Sequence, residues 1–154
     1  MRKHLRPHAE FLAYCLMPNH FHFLVFFPQE SDTEQFSQGM RIILGSYVTA
    51  INRCYGRTGS LFTQNTHSKP LEQSDQHYPQ LCFYYIHHNP LRAKLVSQPE
   101  DGPYSSLPDY LGIRRGTFCN QTLARQLLDL PSDPHQLAQE ARTQLDPEIT
   151  DKLF

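Results

Sequence analysis

Long apolar runs are missing from these 154 residues. None approaches the roughly 20 consecutive apolar residues that a helix needs to cross a bilayer, so no membrane partner is expected. The first residues, Met1 to His8, carry basic side chains with no apolar segment behind them. That is unlike a secretory leader, and a cytoplasmic protein is the expectation. Paired cysteines are also absent. The thiols at 15, 54, 82 and 119 are scattered and form no Cys-x-x-Cys, which argues against a zinc knuckle or a disulfide framework. Charge of one sign is lacking too: the formal net charge is −1, where a strong duplex binder is usually basic. The balance is uneven, however. Residues 1–128 hold twelve Lys/Arg against nine Asp/Glu, and residues 129–154 hold two against six. A mildly basic body with an acidic tail permits phosphate binding without demanding it. There is no internal repeat.

What is present is enough for one α+β domain with a small appendage: 39% hydrophobic residues and 12% aromatic supply an ample core. The most informative stretch is Met17-Pro18-Asn19-His20-Phe21-His22-Phe23-Leu24-Val25-Phe26-Phe27. From His20 it reads as a buried strand after a Pro-Asn turn, and with 11–17 it forms an expected antiparallel hairpin. Side chains alternate across a strand, so His20 and His22 share a face with Leu24 and Phe26. Their Cα atoms then stand roughly 6.6 Å apart, close enough for both imidazoles to reach one cation. A lone histidine on such a strand would be a hydrogen-bonded core residue; two leave both readings open. Phe21, Phe23, Val25 and Phe27 on the other face are expected in the core.

Asp32 or Ser31 can cap a helix in which Phe36, Met40, Ile43, Leu44, Tyr47 and Ile51 recur at helical spacing and which ends before Gly56. Arg41 and Arg53 lie off this stripe, facing solvent or phosphate. A polar loop, Tyr55 to Ser60, follows, and Leu61–Leu71 reads as a strand with Gln64, Asn65, His67 and Lys69 as groove-lining candidates. A second helix is expected to start at Ser74-Asp75-Gln76, to tolerate Pro79 in its first turn, to align Tyr78, Leu81, Cys82 and Tyr85, and to stop at Pro90. On it Tyr85 and Asn89 are neighbours, four residues apart. Residues 97–111 read as loop, with further helices over 121–130 and 136–145. Residues 1–10 look like a frayed lead-in.

Four motifs in order, Met-Pro-Asn-His-Phe-His at 17–22, Gly-Arg-Thr-Gly-Ser-Leu-Phe at 56–62, Tyr-Ile-His-His-Asn-Pro at 85–90 and Tyr104-Ser105-Ser106 with Tyr110-Leu111, resemble the single-tyrosine HUH transposases. The branch they are most similar to is the REP-associated tyrosine transposases of the insertion-sequence type. The resemblance covers roughly 11–112. It implies a catalytic domain over 1–112 with a ferredoxin-like or RRM-like antiparallel sheet, helices on one face, and a helical extension over 113–154. It also implies that His20, His22 and Asn89 hold a divalent ion (Mg²⁺ or Mn²⁺). Tyr85 matches the nucleophile that cleaves single-stranded DNA beside a hairpin, leaving a 5′-phosphotyrosine and a free 3′-hydroxyl. Arg57, Lys69, Arg92 and Lys94 are the expected DNA contacts. Tyr84 is the rival nucleophile, but it would pair with His88, and His87 and His88 are expected at the surface or facing DNA. The resemblance implies a strand and a helix ahead of residue 11 that this chain lacks. The exposed sheet edge that results invites a homodimer. The chemistry suits the residues: a phenol is only about one part in a thousand ionised at pH 7, so a cation on the scissile phosphate compensates for a weak nucleophile. From another class, the alternative is a single-strand nucleic-acid-binding domain descended from such an enzyme, without catalysis.

Overall fold

The hairpin forms where the aromatic runs place it. In the computed structural model, which describes residues 1–18, 20–29, 31–62, 66–71 and 77–143, β1 (Glu10–Leu16) and β2 (Phe21–Phe26) make a two-stranded sheet. Helices follow as α1 (Thr33–Tyr55), α2 (Tyr78–Arg92), α3 (Leu107–Tyr110), α4 (Gln121–Leu128) and α5 (Pro134–Arg142), with a 3-10 turn at Pro99–Asp101. The class is mixed α+β, with an antiparallel hairpin and five helices among the described residues. No helix there is long and apolar enough to cross a membrane. The expected Pro-Asn turn, the start at 74–76, Gln64, Asn65 and the end of the last expected helix lie outside the described residues. Leu61–Leu71 is not a strand where it is described.

The chain divides into two compact units. The first comprises Met1–Glu10 and Phe26–Pro70, the second Phe11–Val25 and Leu71–Phe154. In the first, α1 starts and stops as its sequence dictates: Asp32 accepts from the Gln35 N–H at 2.9 Å, and Gly56 closes the helix with φ 61°. The lead-in is not frayed. Its turns bury Leu5 completely, and Gly39 of α1 lies so close that an added Cβ would stand 2.2 Å from the His4 carbonyl oxygen. Phe27 and Phe36 meet edge to face at 5.0 Å. The apolar stripe of α1 is only partly covered, with Tyr47 still 53% exposed.

In the second unit the strand buried on both sides is β1, not β2. Phe11, Leu12, Ala13 and Cys15 are all buried, and burial pushes the Cys15 thiol up to about 12. In β2 only Leu24 is buried; of the residues expected in the core, Phe21, Phe23 and Val25 are half-covered and Phe27 is exposed, with Phe23 edge to face against Phe11 at 5.4 Å. On the other edge of β1, Cys15 bridges Ser105, with Leu16 N–H donating to the Tyr104 carbonyl at 2.9 Å and Ser106 N–H to the Tyr14 carbonyl at 3.0 Å.

Pro90 does not end α2; the helix runs on to Arg92. A proline removes the N–H owed to the carbonyl four residues back, here that of Ile86. Asn89 Nδ2 makes up the loss, donating to the Ile86 carbonyl at 3.4 Å and to the Tyr85 carbonyl at 2.9 Å. The side chain before the proline does the backbone's work, so the helix survives.

Candidate active site

Three rings meet in the second unit. His20, the last residue before β2, and His22 within it have ring centroids 5.0 Å apart at 85°, and Tyr85 on α2 stands 5.9 Å from His22 at 86°. The strand supplies the imidazoles because alternation puts positions 20 and 22 on one side. The helix supplies the phenol because its neighbouring stripes are engaged elsewhere. Phe83 and His87 point into the core: Phe83 lies edge to face with Tyr110 at 5.0 Å, and His87 Nε2 is 2.7 Å from Ser106 Oγ. Tyr84 donates to the Glu140 carboxylate, and His88 Nε2 lies 2.5 Å from the Ala141 carbonyl. Tyr85 lies on another stripe of the helix, where its ring meets His22 of the hairpin.

His87 and His88 are therefore not surface or DNA-facing residues, as their sequence position suggested. They are 0% and 5% exposed. Burial pushes the His87 imidazole down to about 3 and lowers that of His88, so both stay neutral near pH 7. The two candidate nucleophiles also separate. Tyr84 is 6% exposed, and burial together with the Glu140 carboxylate raises its phenol well above the ordinary range. Tyr85 is half-buried and faces the histidines.

Electrostatics at His22 favour neutral imidazole. Burial, aided by the neighbouring His20, pushes His22 down to about 4. Two neutral imidazoles bound to one ion at about 2.1 Å, with an angle of about 100° between them, put their ring centres about 5 Å apart. The observed 5.0 Å fits that requirement. Asn89 is buried one turn after Tyr85, and both of its Nδ2 bonds go to helix carbonyls. Among the described residues no three of His, Cys, Asp and Glu gather around a point. Among the described residues, an ion between His20 and His22 would meet two imidazole nitrogens and no carboxylate. Such a set suits Mn²⁺ better than Mg²⁺.

The expected DNA contacts divide between the units. Arg92, exposed in the last turn of α2, has its guanidinium carbon 5.3 Å from the Tyr85 ring centre. The seven-residue spacing of 85 and 92, two helical turns, carried that signal. Lys94 is exposed with φ 56°, and its N–H closes the helix end on the Leu91 carbonyl at 2.9 Å. Arg57 and Lys69 are exposed residues of the first unit. Comparisons with family models, curated proteins and solved structures returned no match.

Two residues that the sequence reading passed over shape the site from behind. Ser106 Oγ links His87 to β1, accepting the Tyr14 N–H at 2.9 Å. Glu140 takes the Tyr84 hydroxyl. Ser106 sat within a recognisable motif. Glu140 lay in an acidic tail with nothing to mark it.

Proposed function

We propose that the chain cleaves and rejoins single-stranded DNA through a covalent phosphotyrosine on Tyr85, as a transposase of the single-tyrosine HUH type would. The observation that supports this best is the gathering of His20, His22 and Tyr85, whose rings lie at 5.0 and 5.9 Å along the series. On this reading His20, His22 and the Asn89 oxygen hold a divalent ion, which when bound would withdraw charge from the scissile phosphate. Tyr85 Oη gives up its proton to solvent and attacks the phosphorus; the P–O3′ bond breaks, the 3′-oxygen leaves and takes up a proton from solvent, and the 5′-phosphate stays on the tyrosine. Attack by a 3′-hydroxyl reverses the step without an external energy source, because one phosphodiester replaces another. Arg92 sets a positive charge beside the phenol where the phosphate must arrive.

The finer fold assignment, a ferredoxin-like sheet, belongs to the same reading, as do the expected homodimer and the cytoplasmic location. Pairing of residues 104–106 along β1 is compatible with a wider sheet. The test is a labelled, hairpin-bearing oligonucleotide with Mn²⁺. The wild type should give an adduct stable to SDS, mapped to the peptide containing Tyr85, and Tyr85→Phe should give none. Salt-dependent binding with no adduct and no metal uptake would select the non-catalytic binding domain instead.

A further inference from the structure

Gln80, Tyr84 and His88 lie four residues apart on α2 and so form one stripe along the helix. Each is held by the C-terminal part of the chain. Gln80 Nε2 donates to the Asp129 carbonyl at 3.1 Å. Tyr84 donates to Glu140, and His88 meets the Ala141 carbonyl at 2.5 Å. The seat itself is anchored: Leu137 and Ala141 of α5 are fully buried, and Asp133 caps α5 through the His135 and Gln136 N–H groups at 3.1 and 3.3 Å. Arg142 pairs with Glu100 in the 3-10 turn. The Tyr85–Asn89 stripe is displaced by one residue, about 100° around the same helix.

We infer that the segment 129–141, through Glu140 above all, is a positioning element that fixes the rotation of α2 and with it the place of Tyr85 against His22. The inference rests on the reading of Tyr85 as nucleophile. A tyrosine hydroxyl stands roughly 8 Å from its helix axis, so a rotation of about 10° carries it about 1.4 Å. A misplacement of about 1 Å at a reacting centre costs on the order of 100-fold in rate. Glu140 touches neither DNA nor the histidine pair in this account, so its loss acts on the chemical step alone.

The experiment compares Glu140→Ala with Glu140→Gln, whose amide oxygen can still accept the Tyr84 hydroxyl. Two readouts are taken. The first is the rate of adduct formation at saturating hairpin oligonucleotide with Mn²⁺. The second is the nuclear Overhauser contact between the Tyr85 and His22 rings in the protein alone, free of DNA and metal. Expected for Glu140→Ala is a rate lowered roughly 10- to 100-fold, with the half-saturating DNA concentration unchanged and the ring contact weakened. Glu140→Gln should recover most of both. Tyr84→Phe should slow the adduct like Glu140→Ala while still reaching the same endpoint. An unchanged ring contact and rate in a folded Glu140→Ala overturns the inference, as does a Glu140→Gln that behaves no better than the alanine. If Glu140→Ala does not fold, failure of Tyr84→Phe to change rate or ring contact overturns it equally. A wild type that forms no adduct while the ring contact still responds to Glu140→Ala sinks the cleavage reading and leaves the positioning role standing.

Discussion

Ser105 and Ser106 are neighbours, both fully buried, and the same substitution should have opposite consequences at the two. Ser106 Oγ sits 2.7 Å from His87 Nε2, 2.9 Å from the Tyr14 nitrogen and 3.3 Å from the Tyr14 oxygen. With the His87 proton on Nε2, the hydroxyl accepts from the imidazole and the Tyr14 N–H and donates to the Tyr14 carbonyl, using its full capacity. Ser106→Ala strands two buried donors, each costing about 1–3 kcal/mol, so the loss is about 2–6 kcal/mol. Ser105 Oγ has no hydrogen-bond partner among the described residues. Ser105→Ala removes a polar atom that nothing satisfies and should be neutral or stabilising. Urea unfolding followed by circular dichroism is the assay, since the chain has no tryptophan to report by fluorescence. Two alanine variants within about 0.5 kcal/mol of each other would refute the reasoning.

Gly116→Ala should cost about 1–3 kcal/mol, because its Cβ would stand 2.1 Å from Asp109 Oδ2 and break up the Asp109–Arg114 pair; Gly45→Ala, with nothing within 4 Å in a helix interior, should gain about 0.5–1 kcal/mol, both read as melting shifts. The Gln35 N–H holds the Asp32 carboxyl below its ordinary value. Its contribution to stability is therefore present above the unfolded value and lost as pH falls through the folded one, so Asp32→Asn should flatten the acid limb of a stability–pH profile. Calorimetric titration with Mn²⁺ should show uptake lost in His22→Ala and retained in Tyr85→Phe. Of the four thiols, Cys54 alone is exposed, and it should react with a disulfide reagent well before Cys15, Cys82 and Cys119.

How much of this was legible varies by element. Asp32 and Gly56 delimit α1 because caps are local chemistry, readable without the rest of the chain. The hairpin followed from its aromatic runs, but which strand is buried did not, since coverage of β1 on its second edge comes from residues about ninety positions away. Pro90 misled because a helix stop is a default that a neighbouring side chain can cancel. His87 and His88 misled for a related reason: polar residues read as surface unless their partners, Ser106 and the Ala141 carbonyl, are known. The approach of His20, His22 and Tyr85 could be suspected from a motif, yet only the chain's path brings the rings to 5.0 and 5.9 Å.

The bonds from Asn89 to the Tyr85 and Ile86 carbonyls restrict what chemistry position 89 can hold. An aspartate there would grip a cation harder, but it has no N–H, and its negative oxygens would face two lone-pair-bearing carbonyls where Pro90 has already taken a proton donor away. The amide is thus chosen by the helix before any ion is considered. On the proposed reading it adds no formal charge to the ligand set, so that the positive charge of an ion held there would be turned toward an arriving anion.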